Sequence, residues 1–191
     1  QLNSIFIYSS GFNSFSFGDN YPVNLNRLSD TFVKIKREGF LNEPWLRVEE
    51  PNMITKELLY ESHDPGFIDT LEEANDGKMK KHFVKYNLGV DDCPVFKRVF
   101  DYTMLYASAS LTAVEYIIKE SANVVFNLMG GFHHAGRNYA EGFCYVNDII
   151  IAIDRLLAKV YRVAYIDVDA HHGNGVQDAY YQDDRVLFIS L

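Results

Sequence analysis

Cysteine is scarce: Cys93 and Cys144 are the only two in 191 residues. Two thiols cannot build a disulfide framework, so the expected setting is a reducing, cytoplasmic one. Basic residues are also in deficit, 18 Lys and Arg against 26 Asp and Glu, for a net charge of −8. That balance opposes non-specific contact with phosphates, so no direct nucleic-acid partner is expected. It is compatible with a basic substrate. No apolar run approaches the ~18 residues of a spanning helix, and the N-terminus lacks a basic segment followed by an apolar one, so no membrane partner is expected either. Gly/Pro-rich linkers, internal repeats and low-complexity tracts are missing. Residues 1–191 therefore read as part of one folding unit.

What is present is an ordinary globular balance, 48% apolar and 23% charged, enough for a sizeable core. Ser4–Ser10 predicts a short strand, followed by a loop with Gly11, Gly18, Asp19 and Pro22. Leu28, Phe32 and Ile35 have helical spacing, with Gly39 as the stop. Leu46–Glu50 reads as a strand ended by Pro51, Thr55 as the cap of a helix through Glu61, and Asp64-Pro65 as the start of another. Asp76–Asp92 is polar and aperiodic, which predicts loop. Pro94–Ala122 predicts a long helix that buries Val95, Val99, Tyr102, Tyr106, Leu111, Val114 and Ile118.

From Asn123 onward strands and helices alternate: strand Asn123–Met129, helix Asn147–Lys159, strand Arg162–Asp169, helix Val176–Tyr181, strand Val186–Leu191. This predicts an α/β fold with an open parallel sheet and helices on both faces. Sites in such sheets lie beyond the carboxyl ends of the strands. Val186–Leu191 lacks period-two polarity, as a strand covered on both faces does. The sequence stops there without a covering helix. The expectation is a domain truncated after Leu191, with unpaired backbone and an uncovered apolar surface.

Four of the six histidines fall in two clusters at strand ends, Gly130-Gly131-Phe132-His133-His134-Ala135 and Asp167-Val168-Asp169-Ala170-His171-His172-Gly173-Asn174-Gly175. Asp167, Asp169 and His171 alternate along an extended segment and share a face. A carboxylate and an imidazole side by side, Asp169 and His171, suit a divalent ion: zinc, or else Mn²⁺ or Fe²⁺. Asp167, one step back, is placed to orient another group. Taken singly, each residue has a plainer reading: a histidine hydrogen-bonded in a loop, or Asp167 and Asp169 capping the next helix. Their conjunction points to metal-assisted hydrolysis.

The runs GGFHHAGRNYAEGFCYVND (130–148) and YIDVDAHHGNGVQDAYY (165–181) resemble the zinc-dependent histone deacetylase family, which includes the bacterial, acetoin-utilisation-type deacetylases. VDDCP (90–94), PVNLNRL around Arg27 and the ending VLFISL match more loosely. The resemblance implies the arginase/deacetylase-like fold, with this chain as the N-terminal portion of a single catalytic domain. It makes Asp169 and His171 zinc ligands, with a third Asp and an oxyanion-binding Tyr further along the family's chain than Leu191. His133 and His134 match the tandem catalytic histidines, His134 as general acid/base. Asp167 matches the partner of His133 and Asn174 the partner of His134. Where Asn stands it can fix a tautomer but brings no negative charge. Gly142 and Phe143 resemble a wall of the tunnel that grips an acyl-lysine stem, and Asp92 a rim acid that holds the substrate backbone. Arg27 resembles an internal arginine near the acetate exit. Asp167, Asp169, His171, Ser190 and Leu191 match a structural monovalent-cation site, usually K⁺. Cys144 reads as buried and inert.

The implied reaction is hydrolysis of the acetyl amide of acetyl-lysine, in protein or in a small acetylated amine. Two other classes remain open on the sequence. One is an arginase-type manganese ureohydrolase, which needs more Asp and His ligands and fits the His133-His134 pair poorly. The other is a catalytically incomplete acyl-lysine binder, which the intact His133, His134, Asp169 and His171 oppose.

Overall fold

In the computed structural model, residues 3–18, 24–90, 92–159 and 162–191 are described. The loop positions Asp19 and Pro22, and the Asp91 of the VDDCP match, lie outside them. Strand β1 (Ser4–Ile7) is the centre of a three-stranded parallel sheet, with β2 (Leu46–Glu49) on one side and β3 (Val124–Asn127) on the other. All four β1 residues are buried. Ile5 and Ile7 point into the main core. Phe6 and Tyr8 point the other way, onto Phe32 of helix α1 (Asn26–Arg37), with the Tyr8 and Phe32 rings stacked at 3.8 Å. A side chain buried to this degree contributes about 1.5–3 kcal/mol.

Helix α2 (Lys56–Tyr60) begins after Thr55, whose side chain does not cap it. Helix α3 (Pro65–Glu73) is capped as expected: Asp64 accepts from Phe67 N at 2.9 Å and Pro65 opens the first turn. The segment 76–92 is not all loop. Lys81–Tyr86 is a 3₁₀ helix, pinned by the buried ring of Phe83. The long helix α4 is shorter than expected, Val99–Ile118. Residues before it are held extended by a bridge between Asp76 and Lys97, and Arg98 sits at φ 70°, outside helical geometry. Val99, Tyr102, Tyr106, Leu111 and Val114 are buried as expected.

Helix α5 (Asp148–Leu157), strand β4 (Val163–Asp167), helix α6 (Asn174–Tyr180) and strand β5 (Val186–Ser190) complete the chain. The α/β class and the parallel pairing are as expected. Among the described residues, however, the strands form two ladders, because β4 pairs only with β5. Strand β3 leads into β4 through a long loop and α5. That helix packs on α4 and carries β4 away from β3. One face of β4–β5, with Tyr165 and Phe188, packs on Ile150, Ile153, Val176 and Tyr180. The other face is open: Ile166 is 61% and Leu187 58% exposed. Helices thus cover both faces of the three-stranded ladder and one face of the two-stranded one.

Two buried polar groups tie α4 and the α2–α3 corner to the start of α5. The Tyr106 hydroxyl accepts from Val146 N at 2.8 Å and donates to Val146 O at 3.0 Å. His63 Nε2 accepts from Asn147 N at 3.1 Å, so its proton is on Nδ1, which has no partner among the described residues. Burial, then the nearby Arg137, pushes the His63 imidazole down from 6.5 to about 3. Tyr106→Phe leaves both backbone groups of Val146 unpaired. The expected cost is about 1–3 kcal/mol, read as a lower denaturant midpoint at unchanged slope. Below pH 6.5 the unfolded chain takes up a proton at His63 that the folded chain refuses. Stability is therefore lost as pH falls from 6.5 towards 3. His63→Gln, which keeps an acceptor for Asn147 N, should shrink the midpoint difference measured between neutral and mildly acid solution.

Candidate active site

The loop after β3 carries His133 and His134, and it is fixed by the first residues of α5. Asn147 caps α5 through Ile150 N at 3.1 Å, while its amide donates to His133 O at 3.2 Å and Ala135 O at 2.9 Å. Asp148 accepts from Gly131 N at 3.1 Å, from Phe132 N at 2.8 Å and from the Ser110 hydroxyl. Burial pushes the Asp148 carboxyl up, against these hydrogen bonds. From the other side α6 closes on the same loop. A Cβ at Gly175 would lie 2.2 Å from Ala135 O, so only glycine permits this approach.

His133 is buried and its Nδ1 lies 2.7 Å from Asp167 Oδ2. Asp167 also accepts from Tyr165 OH at 2.6 Å and from Asp169 N at 3.0 Å. Desolvation works to raise the Asp167 carboxyl, but the hydrogen bonds from Tyr165 and His133 outweigh it and hold it below the usual carboxylate range. Burial and then Asp167 push the Tyr165 phenol up, which keeps it a donor. His134 Nδ1 lies 2.7 Å from Asn174 Oδ1, and the Asn174 amide nitrogen lies 3.0 Å from Glu141 Oε2. The two Nε2 atoms of His133 and His134 face each other at 3.1 Å. Asp169 Oδ1 and His171 Nδ1 converge to 3.1 Å, and His171 N donates to the same oxygen at 2.8 Å. That backbone donor is the main cause of the lowered Asp169 carboxyl. Asp169 and His171 thus present a carboxylate and an imidazole together, donors of the kind that could hold a divalent ion. Among the described residues no group of three or more ligating side chains gathers.

His133, His134, Asp169 and His171 line one cavity of about 340 Å³, together with Asp92, Gly142, Phe143 and Arg27. Phe143 stands at φ 62° and Gly142 at φ 57°, and residues 141 and 144 are bridged. Two central residues with positive φ make the tight turn of a type I′ hairpin. A non-glycine residue there is uncommon and concentrates at functional positions. The ring of Phe17 meets Phe143 edge-on at 5.9 Å and forms a second wall. Asp92 accepts from Gly142 N at 3.1 Å, so it braces the turn. Arg27 lines the cavity but is not internal: it lies exposed in the first turn of α1, a helix that buries no residue. Asp167 and Ser190 are register partners, and Leu191 N donates to Asp167 O at 3.0 Å. Cys144 is buried, and burial pushes its thiol up to about 12. A larger cavity, about 490 Å³, lies between α2, α4 and α5 and is lined by Leu58, Glu115 and Arg155, with none of the clustered histidines.

Sequence reasoning missed Tyr165, Glu141, Phe17 and the Asn147–Asp148 pair. Tyr165 was within reach, since it shares the alternating face of Asp167 on β4. Asn147 and Asp148 sit inside the quoted motif but read only as a helix start. Phe17 and Glu141 carry no local signal.

The chain matches the model of the histone deacetylase domain over residues 21–191. It is 34% identical over 189 residues to "Histone deacetylase 9" of Arabidopsis thaliana, covering 97% of this chain and 44% of that protein. It is 32% identical to "Histone deacetylase HDAC1" of Drosophila melanogaster and 32% identical to "Probable histone deacetylase 1-A" of Xenopus laevis, again over 97% of this chain. These cover 36% and 39% of the respective relatives, so the chain spans less than half the length of the curated relatives it matches. All three are eukaryotic and lend nothing to a specifically bacterial type. No described helix is long and apolar enough to cross a membrane. With the match running through both histidine clusters and the cavity they line, the chain belongs to the histone deacetylase family.

Proposed function

We propose that the protein hydrolyses the acetyl amide of acetyl-lysine, in protein or in a small acetylated amine, using zinc and the His133–His134 pair. The observation that carries the reading is the meeting, in one cavity, of two facing imidazoles with an Asp169–His171 pair 3.1 Å apart. Zinc would be held by Asp169 and His171. When bound, it supplies Lewis acidity that polarises the acyl carbonyl and acidifies water beside it.

The chain's own groups do the rest. His134 Nε2 takes the proton of the attacking water and returns it to the departing amine. Asn174 holds the other ring nitrogen, so that Nε2 faces the reaction. His133, fixed by Asp167 through Nδ1 and set with Nε2 against that of His134, gives electrostatic support and helps to hold the water. Phe143 lines the stem of the acylated side chain and excludes water, with the buried ring of Phe17 packed edge-on against it. Asp92, which accepts from Gly142 N, would hold the substrate backbone.

The direct test is acetate release from an acetyl-lysine peptide and from an acetylated polyamine, using the protein as its own cell makes it. Release from either is expected, ended by a chelator and restored by zinc. No release from both, or release indifferent to chelation, overturns the reading. His134→Ala should lower kcat by about 10²–10⁴-fold with little change in KM, because proton transfer acts in the transition state. Asp169→Ala should reduce zinc content measured on the purified protein.

A further inference from the structure

The contact between His133 Nε2 and His134 Nε2 holds one proton without saying which ring owns it, and Asn174, on the far side of His134, does not decide this by itself. An amide can orient His134 in either of two ways. With Oδ1 towards the ring, the proton is on Nδ1 and Nε2 is bare, competent as a base. With Nδ2 towards the ring, Nδ1 is the acceptor and Nε2 carries the proton, which leaves no base facing the cavity. Nothing in an amide itself chooses between these.

We infer that Glu141 is a positioning residue whose carboxylate sets the Asn174 amide and thereby selects the tautomer of His134. Glu141 Oε2 lies 3.0 Å from Asn174 Nδ2, and Asn174 Oδ1 lies 2.7 Å from His134 Nδ1. An ionised carboxylate only accepts, so it demands the NH₂ end of the amide. The flipped amide would set its oxygen against the Glu141 carboxylate. The three groups therefore form a directed chain from His134 through Asn174 to Glu141, and it restores at one remove the negative charge that Asn174 lacks.

The placement of Glu141 is built into the fold. Its N–H donates to Cys144 O at 3.0 Å and its carbonyl accepts from Cys144 N at 2.9 Å, across the Gly142–Phe143 turn. The same turn that presents Phe143 to the cavity thus aims residue 141 at the first residue of α6. A Cβ at Gly142 would come 2.4 Å from the His134 ring, so the turn lies directly against the imidazole that it orients. Asn174 is half-buried, the next residue, Gly175, lies against the His133–Ala135 carbonyls, and the hydrogen bond of the Asn174 amide nitrogen goes to Glu141.

The inference rests on the deacetylase reading for its catalytic meaning, but its structural content is measured separately. In the zinc-loaded protein with ¹⁵N-labelled histidine, His134 should show a protonated Nδ1 and a bare Nε2. Glu141→Ala should replace that pattern by a mixture of tautomers and lower kcat by about ten- to a hundred-fold, the range for groups that orient a ligand or catalytic residue from behind, with KM within about two-fold. Glu141 is exposed, so its truncation does not open the core. Asn174→Asp puts two carboxylates face to face and should lower kcat. Asn174→Asp with Glu141→Gln relieves the clash and should recover most of it, a rescue that a merely structural contact would not give. An unchanged His134 pattern in Glu141→Ala overturns the inference, as does Asn174→Asp with full kcat while Glu141 remains. A wild-type protein with the expected ¹⁵N pattern, lost in Glu141→Ala, but without acetate release keeps the inference and overturns the deacetylase reading instead.

Discussion

Everything in the site hangs on two adjacent side chains at the start of α5. Asn147 grips the carbonyls of His133 and Ala135, and Asp148 grips the amides of Gly131 and Phe132. One residue is a donor to the loop and its neighbour an acceptor from it, so the backbone on both sides of His133 is fixed by groups of opposite polarity. Both are buried, where a hydrogen bond left unmade costs far more than one made gains. His63 and the Tyr106–Val146 exchange then brace the corner from which these two side chains project. The imidazoles are held by a scaffold whose own polar groups are nearly all satisfied, which is what a geometry good to a fraction of an ångström requires.

Most of the elements were legible in the sequence because their signals are local. Asp64-Pro65, Gly39, and the apolar residues at helical spacing in α1 and α4 each act within one or two turns of chain. The two histidine clusters were legible as strand-end motifs, but the strand ends earlier than expected: β4 stops at Asp167, and Asp169 and His171 are brought together on the bend that follows, by hydrogen bonds to the Asp169 carboxylate, not by strand alternation. What escaped was set by packing at a distance. The 3₁₀ helix at Lys81–Tyr86 exists because the ring of Phe83 finds a core site, and no pattern in a polar stretch announces that. The division of the strands into two ladders is a matter of which strands pair, which periodicity cannot see. Glu141 lies 33 residues from Asn174 and looks, in isolation, like any solvated acid.

Phe143 shows how function and strain are joined. Its φ of 62° is forced by the hairpin turn, and the turn is held by the 141–144 bridge and by Asp92 on Gly142 N. The wall of the cavity and the contact of Glu141 with Asn174 both depend on one turn. A β-branched residue at position 143 would disfavour that backbone and so disturb both.

The two hydrophobic clusters differ greatly in size. The larger holds β1, α4 and the histidine loop. The smaller is built on Ile150, Ile153, Val176 and Tyr180 beneath β4 and β5. Asp169 and His171 follow β4 and are exposed, while Asp167 on β4 and Asn174 on α6 reach across to His133 and His134 in the loop after β3. Cooperative opening of a protein follows such divisions, and the unit with less buried surface opens at lower free energy. The Asp169–His171 pair is local, two residues apart on the turn after β4, so the two histidines face it only as long as β4 and α6 stay docked on their loop through Asp167 and Asn174.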